Sequence, residues 1–158
     1  MHLILNKAKD ESILSTMSCH YGSVISKGKK PIVSGHNHYR SCFREHGSRE
    51  YCTMFHAERD CLIKFLKRCF RGKKITYRKM KKYKIFITRT KNYEDELIFM
   101  NCAPCQECII MLQKVGFKKA ITTDINNKLQ TYNINKLNPH EHFLSYAQKH
   151  FKEYKQFI

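Results

Sequence analysis

The sequence predicts an α/β protein in which one mixed sheet carries helices on both faces. Helix-like and strand-like patterns follow one another in the order helix, hairpin, helix, strand, helix, hairpin, helix. The chain has 158 residues, 42% of them hydrophobic, so we expect a single domain over residues 1–158 with a core of its own. The last two strand-like runs are too close together for a crossover helix, so they are predicted to be antiparallel.

The first two elements are predicted to be a helix and a hairpin. The helix runs from about Lys7 to Met17, and its apolar face consists of Ala8, Ile13, Leu14 and Met17. Two β-prone runs then flank "SKGKK", where the glycine favours a tight turn. The polar stretch "SCFREHGSREYC" after the hairpin is predicted to be an irregular loop.

The middle of the chain predicts a long helix and a buried strand. Apolar residues recur at helical spacing from about Phe55 to Phe70, and "KYKIFITR" has the pattern of a strand buried at Ile85 and Ile87. "TKNYEDEL" is predicted to be a loop, and "IFMNC" is predicted to extend or pair with a strand.

The C-terminal third predicts helix, two strands, helix. Pro104 occupies the expected first position of a helix that stops at Gly116. "KKAITTD" and "KLQTYNI" are the two antiparallel strands. "NPHE" then predicts a final helix capped at Asn138, whose apolar face is Phe143, Ala147, His150, Phe151 and Tyr154.

The charge of the chain is +17 at pH 7, and it is concentrated in one segment. Lys64 to Lys84 holds eleven basic residues and no acidic one. Such a run is typical of a solvated face, and the alternative is a surface that contacts nucleic acid or phosphate. No apolar run approaches the roughly 18 residues that span a bilayer. We therefore expect no membrane association and a cytoplasmic protein whose cysteines are thiols or metal ligands.

The octapeptide "NCAPCQEC" indicates a metal site. Cys105 and Cys108 are spaced to project from one face at the start of a helix, where the positive helix end favours thiolates. His56, in "FHAERD", opens another predicted helix. One histidine and two cysteines leave the fourth position of a tetrahedral zinc site to water, as catalytic zinc requires. Glu58 is then placed to exchange protons with that water.

Two other zinc arrangements remain open at this point. Cys102 as a fourth ligand would make the same cluster a structural site, although Glu58 would then have no role. A second structural zinc is also conceivable in the loop region, built from Cys42 or Cys52 with His38 or His46.

"HAE" followed by "PCQEC" resembles the signature of the zinc-dependent cytidine/deoxycytidylate deaminase superfamily. "GHNHYR" and "APCQECIIMLQKVGFKKAI" extend the resemblance over most of the chain. It implies a cytidine-deaminase-like three-layer α/β/α sandwich around a five-stranded mixed sheet, and a homo-oligomer. It also implies that Zn²⁺ binds His56, Cys105 and Cys108, and that Glu58 is the catalytic proton shuttle. The implied substrate contacts are the backbone of Ala57 and Ala103, the side chain of Asn37, and Arg40 for a 5′-phosphate.

The features that select a substrate within this superfamily disagree. The antiparallel last strand resembles the cytidine deaminase branch, whereas "GHN" with "PCQEC" resembles the deoxycytidylate (dCMP) deaminase branch. The first hypothesis is therefore a deaminase of a small pyrimidine nucleoside or nucleotide, dCMP slightly ahead of cytidine. The alternatives are a deaminase that edits single-stranded RNA or DNA, with Lys64–Lys84 as its nucleic-acid contact, and a non-catalytic zinc-binding scaffold.

Overall fold

A computed structural model of the chain describes residues 2–40, 53–71, 73–94 and 96–142. The α-helices are α1 (His2–Ile13), α2 (Ala57–Cys69), α3 (Tyr77–Met80) and α4 (Gln106–Val115). The strands are β1 (His20–Lys27), β2 (Lys30–His36), β3 (His38–Arg40), β4 (Thr53–Phe55), β5 (Tyr83–Tyr93), β6 (Glu96–Met100), β7 (Lys119–Thr123) and β8 (Leu129–Asn133). Two 3₁₀ turns follow β8, at Ile134–Lys136 and Pro139–Glu141.

The main sheet has the strand order β2-β1-β5-β7-β8, and β6 pairs with the C-terminal part of β5, residues 89–93. β5 and β7 are parallel, whereas β1–β2, β1–β5, β5–β6 and β7–β8 are antiparallel. The predicted five-strand mixed sheet and its antiparallel last strand are thus confirmed, and β6 adds a sixth strand. β3 and β4 form a separate two-stranded ribbon.

Helices cover both faces of the sheet, which confirms the predicted three layers. On one face α1 packs its buried Ile4, Leu5 and Ala8 against Val24 and Phe86 of the sheet. On the other face α2 and α4 form the larger core, whose members include Cys61, Leu62, Phe65, Leu112 and Phe117. Burying these apolar side chains supplies the main stabilisation of the layers.

Two glycines let helices approach the sheet closely. A Cβ added at Gly22 of β1 would lie 1.9 Å from the carbonyl oxygen of Ala8 in α1. A Cβ at Gly35 of β2 would lie 2.5 Å from the amide nitrogen of Cys61 in α2. Both distances are below any real contact, so α1 and α2 rest on backbone that only glycine provides.

The first helix differs from its predicted bounds. It starts at His2 and ends at Ile13, not Lys7 to Met17, and Ile13 and Leu14 are exposed. Ser12 takes the buried position instead, and its hydroxyl lies 2.7 Å from that of Thr90 in β5. The prediction relied on apolar periodicity and missed this position, because the interface between α1 and the sheet buries a hydrogen-bonded pair of hydroxyls there.

Three other elements correct the predictions. "TKNYEDEL" is not a loop, because β5 continues to Tyr93 and pairs with β6. Pro104 is not the first helical residue, since Cys105 is the N-cap of α4. Asn138 is an N-cap as predicted, but of the 3₁₀ turn Pro139–Glu141, and the apolar face predicted beyond it lies outside the described residues. The predicted loop "SCFREHGSREYC", residues 41–52, also lies outside them.

The predictions for the long helix and the first hairpin are confirmed by α2 and by β1–β2. Within the described ranges, no helix is long and apolar enough to cross a bilayer.

Candidate active site

The starts of α2 and α4 lie side by side and bring three potential metal ligands together. His56 is the N-cap of α2, Cys105 is the N-cap of α4, and Cys108 lies in the first turn of α4. His56 Nδ1 is 3.3 Å from Cys105 Sγ and 3.4 Å from Cys108 Sγ. One donor atom from each residue lies within 4.8 Å of the others, and both cysteines are only 3% exposed.

These three donors fit zinc. Tetrahedral zinc with its usual Zn–N and Zn–S bonds holds nitrogen and sulfur ligands about 3.5 Å apart, close to the two observed separations. Nitrogen and thiolate ligands in this ratio are typical of zinc, and two helix N-termini pointing at the group favour thiolates.

The protonation of the three donors is coupled. A hydrogen bond with Cys108 and the neighbouring His56 lower the pKa of Cys105 to about 4, against the opposing effect of burial. Burial opposes protonation of His56, but the hydrogen bond and charge of Cys105 outweigh it and raise the pKa of His56 to about 9. The Cys105 hydrogen bond, together with burial, raises the pKa of Cys108 well above its ordinary value. Without metal, these directions favour a thiolate on Cys105, a thiol on Cys108 and an imidazolium on His56.

Glu58 lies in the first turn of α2 beside this group and is 5% exposed. Burial raises the pKa of its carboxyl, and the His56 charge only partly opposes the rise. A carboxyl in such surroundings takes up and returns a proton more readily near neutral pH than an exposed glutamate does.

Among the described residues, Cys102 is not one of the donors that lie within 4.8 Å of one another. Its thiol is 3.3 Å from the carbonyl oxygen of Ile87 and 3.6 Å from that of Thr123, and burial raises its pKa to about 11. This placement favours the three-ligand set over the four-ligand structural site. The second zinc considered for the loop region falls largely outside the described residues, where only His38 of its four candidates is described.

The two alanines predicted to contact a base lie next to the metal group. Ala57 is fully buried as the first residue of α2, and its carbonyl accepts a 2.7 Å hydrogen bond from the Ser23 hydroxyl. Ala103 lines a cleft of about 370 Å³, together with Asn101, Cys102, Asp124, Gln130 and Tyr132. That volume lies at the lower end of the range for small-molecule sites.

The side chain of Asn37 is hydrogen-bonded to the backbone at the start of β1. Its Oδ1 accepts a 2.7 Å hydrogen bond from the backbone N–H of Tyr21, and its Nδ2 donates to the carbonyl of Cys19 at 2.6 Å. The side chain is 4% exposed. Nδ2 also donates to Met17 Sδ at 3.2 Å, so both its N–H groups have acceptors and a substrate contact by Asn37 would use the second lone pair of Oδ1. The backbone of Arg40 ends β3, opposite Thr53 of β4, while its side chain lies outside the described part of the chain.

Several polar residues near the site were not predicted. Ser23, 0% exposed, fixes the carbonyl of Ala57 as described above, and no local pattern in the sequence marks it. Burial and then the Cys105 thiolate raise the pKa of Glu107 to about 7. Its position between the two cysteines of "CQEC" was a signal that could have marked it.

Asp60 lies in the first turn of α2. Its Oδ1 is 3.6 Å from His38 Nε2, and the His38 ring stacks on Phe55, the residue just before His56.

A mixed sheet whose helix starts gather one histidine and two cysteines around a buried glutamate defines a zinc-binding α/β protein. More narrowly, the chain belongs to the family described as the cytidine and deoxycytidylate deaminase zinc-binding region, whose family model matches residues 1–123. The predicted zinc cofactor is confirmed by this family and by the donor group.

Solved structures with the same fold include two enzymes. The apo dCMP deaminase from the cyanophage S-TIM5 is 20% identical, with a TM-score of 0.51, over 78% of this chain and 81% of that chain. The same enzyme in complex with dCMP and dUMP is 21% identical, with a TM-score of 0.53, over 78% of this chain and 79% of that chain. A cytidine deaminase from Burkholderia pseudomallei is 15% identical, with a TM-score of 0.61, over 87% of this chain and 95% of that chain. At these identities the likeness shows the fold, and it confirms the cytidine-deaminase-like class. Comparison with curated proteins gave no significant match.

Proposed function

We propose that this protein deaminates the cytosine of a small nucleoside or nucleotide by hydrolysis. Water adds its oxygen at C4 of the base, the C4–N bond to the amino group breaks, and ammonia leaves with the uracil product. The observation that carries the proposal is the buried Glu58 carboxyl beside the His56, Cys105 and Cys108 donors, in a chain of the deaminase family.

His56 Nδ1 and the two cysteine Sγ atoms would hold the zinc. When bound, zinc lowers the pKa of a coordinated water toward about 7 and so makes a nucleophile available at neutral pH. The start of α2 at His56 adds positive potential at the same place, which favours negative charge there.

Glu58 would carry the protons of the reaction. Its carboxylate would accept one proton from the attacking water and pass it to N3 of the base. It would then accept the second proton from the hydroxyl on C4 and pass it to the departing amine, which leaves as ammonia. A raised pKa suits this double duty, because a larger fraction of the carboxyl is protonated near neutral pH than in an exposed glutamate, so the group can act as an acid as well as a base.

The backbone around the metal group would orient the base. The N–H of Ala57 lies in the first turn of α2, where helix geometry leaves it without an intrahelical acceptor, so it can donate to the base carbonyl. The Ser23 hydroxyl fixes the peptide on the other side of that residue. The carbonyl of Ala103, at the wall of the adjoining cleft, would accept from the amino group, and Asn37 would contact the sugar or base.

We place dCMP slightly ahead of cytidine as the substrate. The "GHN" and "PCQEC" motifs favour it, and the cyanophage enzyme with this fold binds dCMP and dUMP. Among the described residues that line the cleft, Asp124 is acidic and none is Lys or Arg. A 5′-phosphate would therefore need a cation from elsewhere, and Arg40 is the residue that we assign to it.

A substrate panel on the zinc-loaded protein tests the proposal. We expect ammonia release from dCMP, deoxycytidine or cytidine, and a loss of at least about 100-fold in kcat for Glu58→Gln with zinc content unchanged. Glu107→Gln is the matched control, a half-buried carboxyl beside the same donors, and should lose far less. Release from oligonucleotides alone, or none from any cytosine compound with zinc bound, would contradict the proposal.

Arg40→Gln separates the candidate substrates. If Arg40 holds the phosphate, the variant should raise KM for dCMP about tenfold or more and leave KM for deoxycytidine unchanged. Equal effects on both substrates would refute the role assigned to Arg40 and leave the deamination itself unaffected.

A further inference from the structure

Three lysines of the basic segment Lys64–Lys84 line a cleft together with Lys27. A cavity of about 300 Å³ is lined by Lys27, Lys73, Lys79 and Lys82, with Phe70 and Tyr83 at its apolar side. We call it the lysine cleft. Its lysines come from the end of β1 and from the segment between α2 and β5, so the fold assembles the site from residues distant in sequence.

The same end of the sheet places further lysines next to one another. Lys27 of β1 pairs with Lys30 of β2, and Lys84 of β5 pairs with Lys119 of β7. Like charges opposite each other on neighbouring strands are destabilising. A polyanion bound at this end of the sheet would offset the repulsion between the lysines of β1, β2, β5 and β7.

The lysines of the cleft are available for a ligand. None of them forms an ion pair with an acidic residue of the described ranges, where the ion pairs are those of Glu11 and Asp60 elsewhere. All four lysines are exposed. The apolar side of the cleft is firm, because Phe65 packs edge-on against both Phe70, at 5.5 Å between ring centroids, and Tyr83, at 4.8 Å.

We propose that the lysine cleft binds the phosphate backbone of single-stranded nucleic acid without regard to sequence. Lysine recognises phosphate as a point charge, and several lysines around one groove suit a chain of successive phosphates. A concave site favours a single strand over a flat anionic membrane. Phe70 is only 8% exposed and leaves the bases little to stack on there, so we expect contacts with the backbone to supply most of the affinity.

The single-stranded nucleic acid bound in the lysine cleft would not be the substrate of the metal group. α2 starts at the metal group and its last residue, Cys69, lines the lysine cleft. Its 13 residues put about 20 Å between the two. The cleft thus goes beyond the proposed deamination and does not rest on it, since it would anchor the protein on nucleic acid whatever reaction occurs at the other end.

Fluorescence anisotropy with labelled 20-nucleotide polythymidine and polyuridine tests the cleft on the zinc-loaded protein. Four lysine–phosphate contacts predict a slope of log K against log salt of about −2.8, so affinity should fall about 50-fold from 50 to 200 mM salt. In the triple variant K73Q/K79Q/K82Q, with one contact left, binding should be weak and should fall only about 3-fold over that range.

The control is K7Q/K91Q/K128Q, which removes the same charge from exposed lysines elsewhere. It should keep the 50-fold salt dependence, and both triple variants should keep wild-type turnover of any small cytosine substrate. Equal weakening in the two variants would show that net charge alone binds nucleic acid and would overturn the proposal. Tighter binding to a 20-base-pair duplex, to phosphatidylserine vesicles or to tripolyphosphate at equal phosphate concentration would also overturn it.

Discussion

Zinc uptake by the metal-free protein at pH 6 should release about two protons per zinc from the three ligands. Metal binding requires deprotonated ligands, so it displaces whatever protons the free ligands hold. In the Glu58→Gln/Glu107→Gln double variant, which lacks the two neighbouring carboxyls with raised pKa values, the number released reports the protonation of His56, Cys105 and Cys108 before the metal arrives.

The value of two follows from the coupling in the cluster. At pH 6, His56 with a pKa of about 9 is protonated, and Cys105 with a pKa of about 4 is a thiolate. Cys108, whose pKa lies well above its ordinary value, keeps its proton. Zinc then displaces one proton from His56 and one from Cys108. With ordinary pKa values for all three groups, the release would be about 2.8.

Isothermal titration of zinc into the metal-free double variant measures the difference. The apparent enthalpy at pH 6, plotted against the ionisation enthalpy of several buffers, has the proton number as its slope. Circular dichroism before titration establishes that this metal-free variant is folded, and Cys102→Ala in the same background serves as the control with an unchanged slope. A release close to three from folded protein would refute the thiolate assigned to Cys105.

The remaining predictions concern stability and ligand choice. Gly22→Ala should cost about 3 kcal/mol in urea unfolding, because its Cβ would meet the Ala8 carbonyl; Gly28→Ala, with open space and a φ of 59°, should cost only about 1 kcal/mol. Phe65→Ala should lose about 3–5 kcal/mol, and Phe65→Leu clearly less. Cys102→Ala should keep one zinc per chain by metal analysis, since its thiol bonds backbone carbonyls; loss of the zinc would restore the four-ligand site.

Sequence patterns predicted the elements that bury one apolar face and failed where the buried or paired positions are polar. α2 follows its periodicity, and α4 stops at Gly116, which has a φ of 96°. The bounds of α1 were mispredicted because Ser12 is buried, and its hydroxyl pairs with that of Thr90, 78 residues away. The end of β5 reads as a loop because Lys91, Asn92 and Tyr93 are all exposed, so no alternation marks a strand that backbone pairing with β6 alone defines.

The group of three potential metal ligands could be predicted from the sequence for a local reason. His56, Cys105 and Cys108 lie at helix starts, so short motifs contain both the ligands and the geometry that aims them. The residues that hold those helices in place depend on tertiary pairing. Asp60 accepts from the backbone N–H of His36 in β2, and Ser23 of β1 donates to Ala57; neither contact has a counterpart in sequence spacing.

The charge distribution along α2 fits the two sites that we propose at its ends. Its first turn contains Glu58 and Asp60, and its last turn contains Lys67 and Arg68, each sign at the helix end whose dipole it complements. Glu58 at the acidic start lies beside the three metal donors, and the basic end borders the lysine cleft. The screening length for exposed charges is about 10 Å at 0.1 M salt and shortens as salt is added, whereas buried pairs are screened much less. Raising the ionic strength should therefore release nucleic acid from the cleft and leave turnover at the buried site almost unchanged, so the two activities can be separated in one preparation without any mutation.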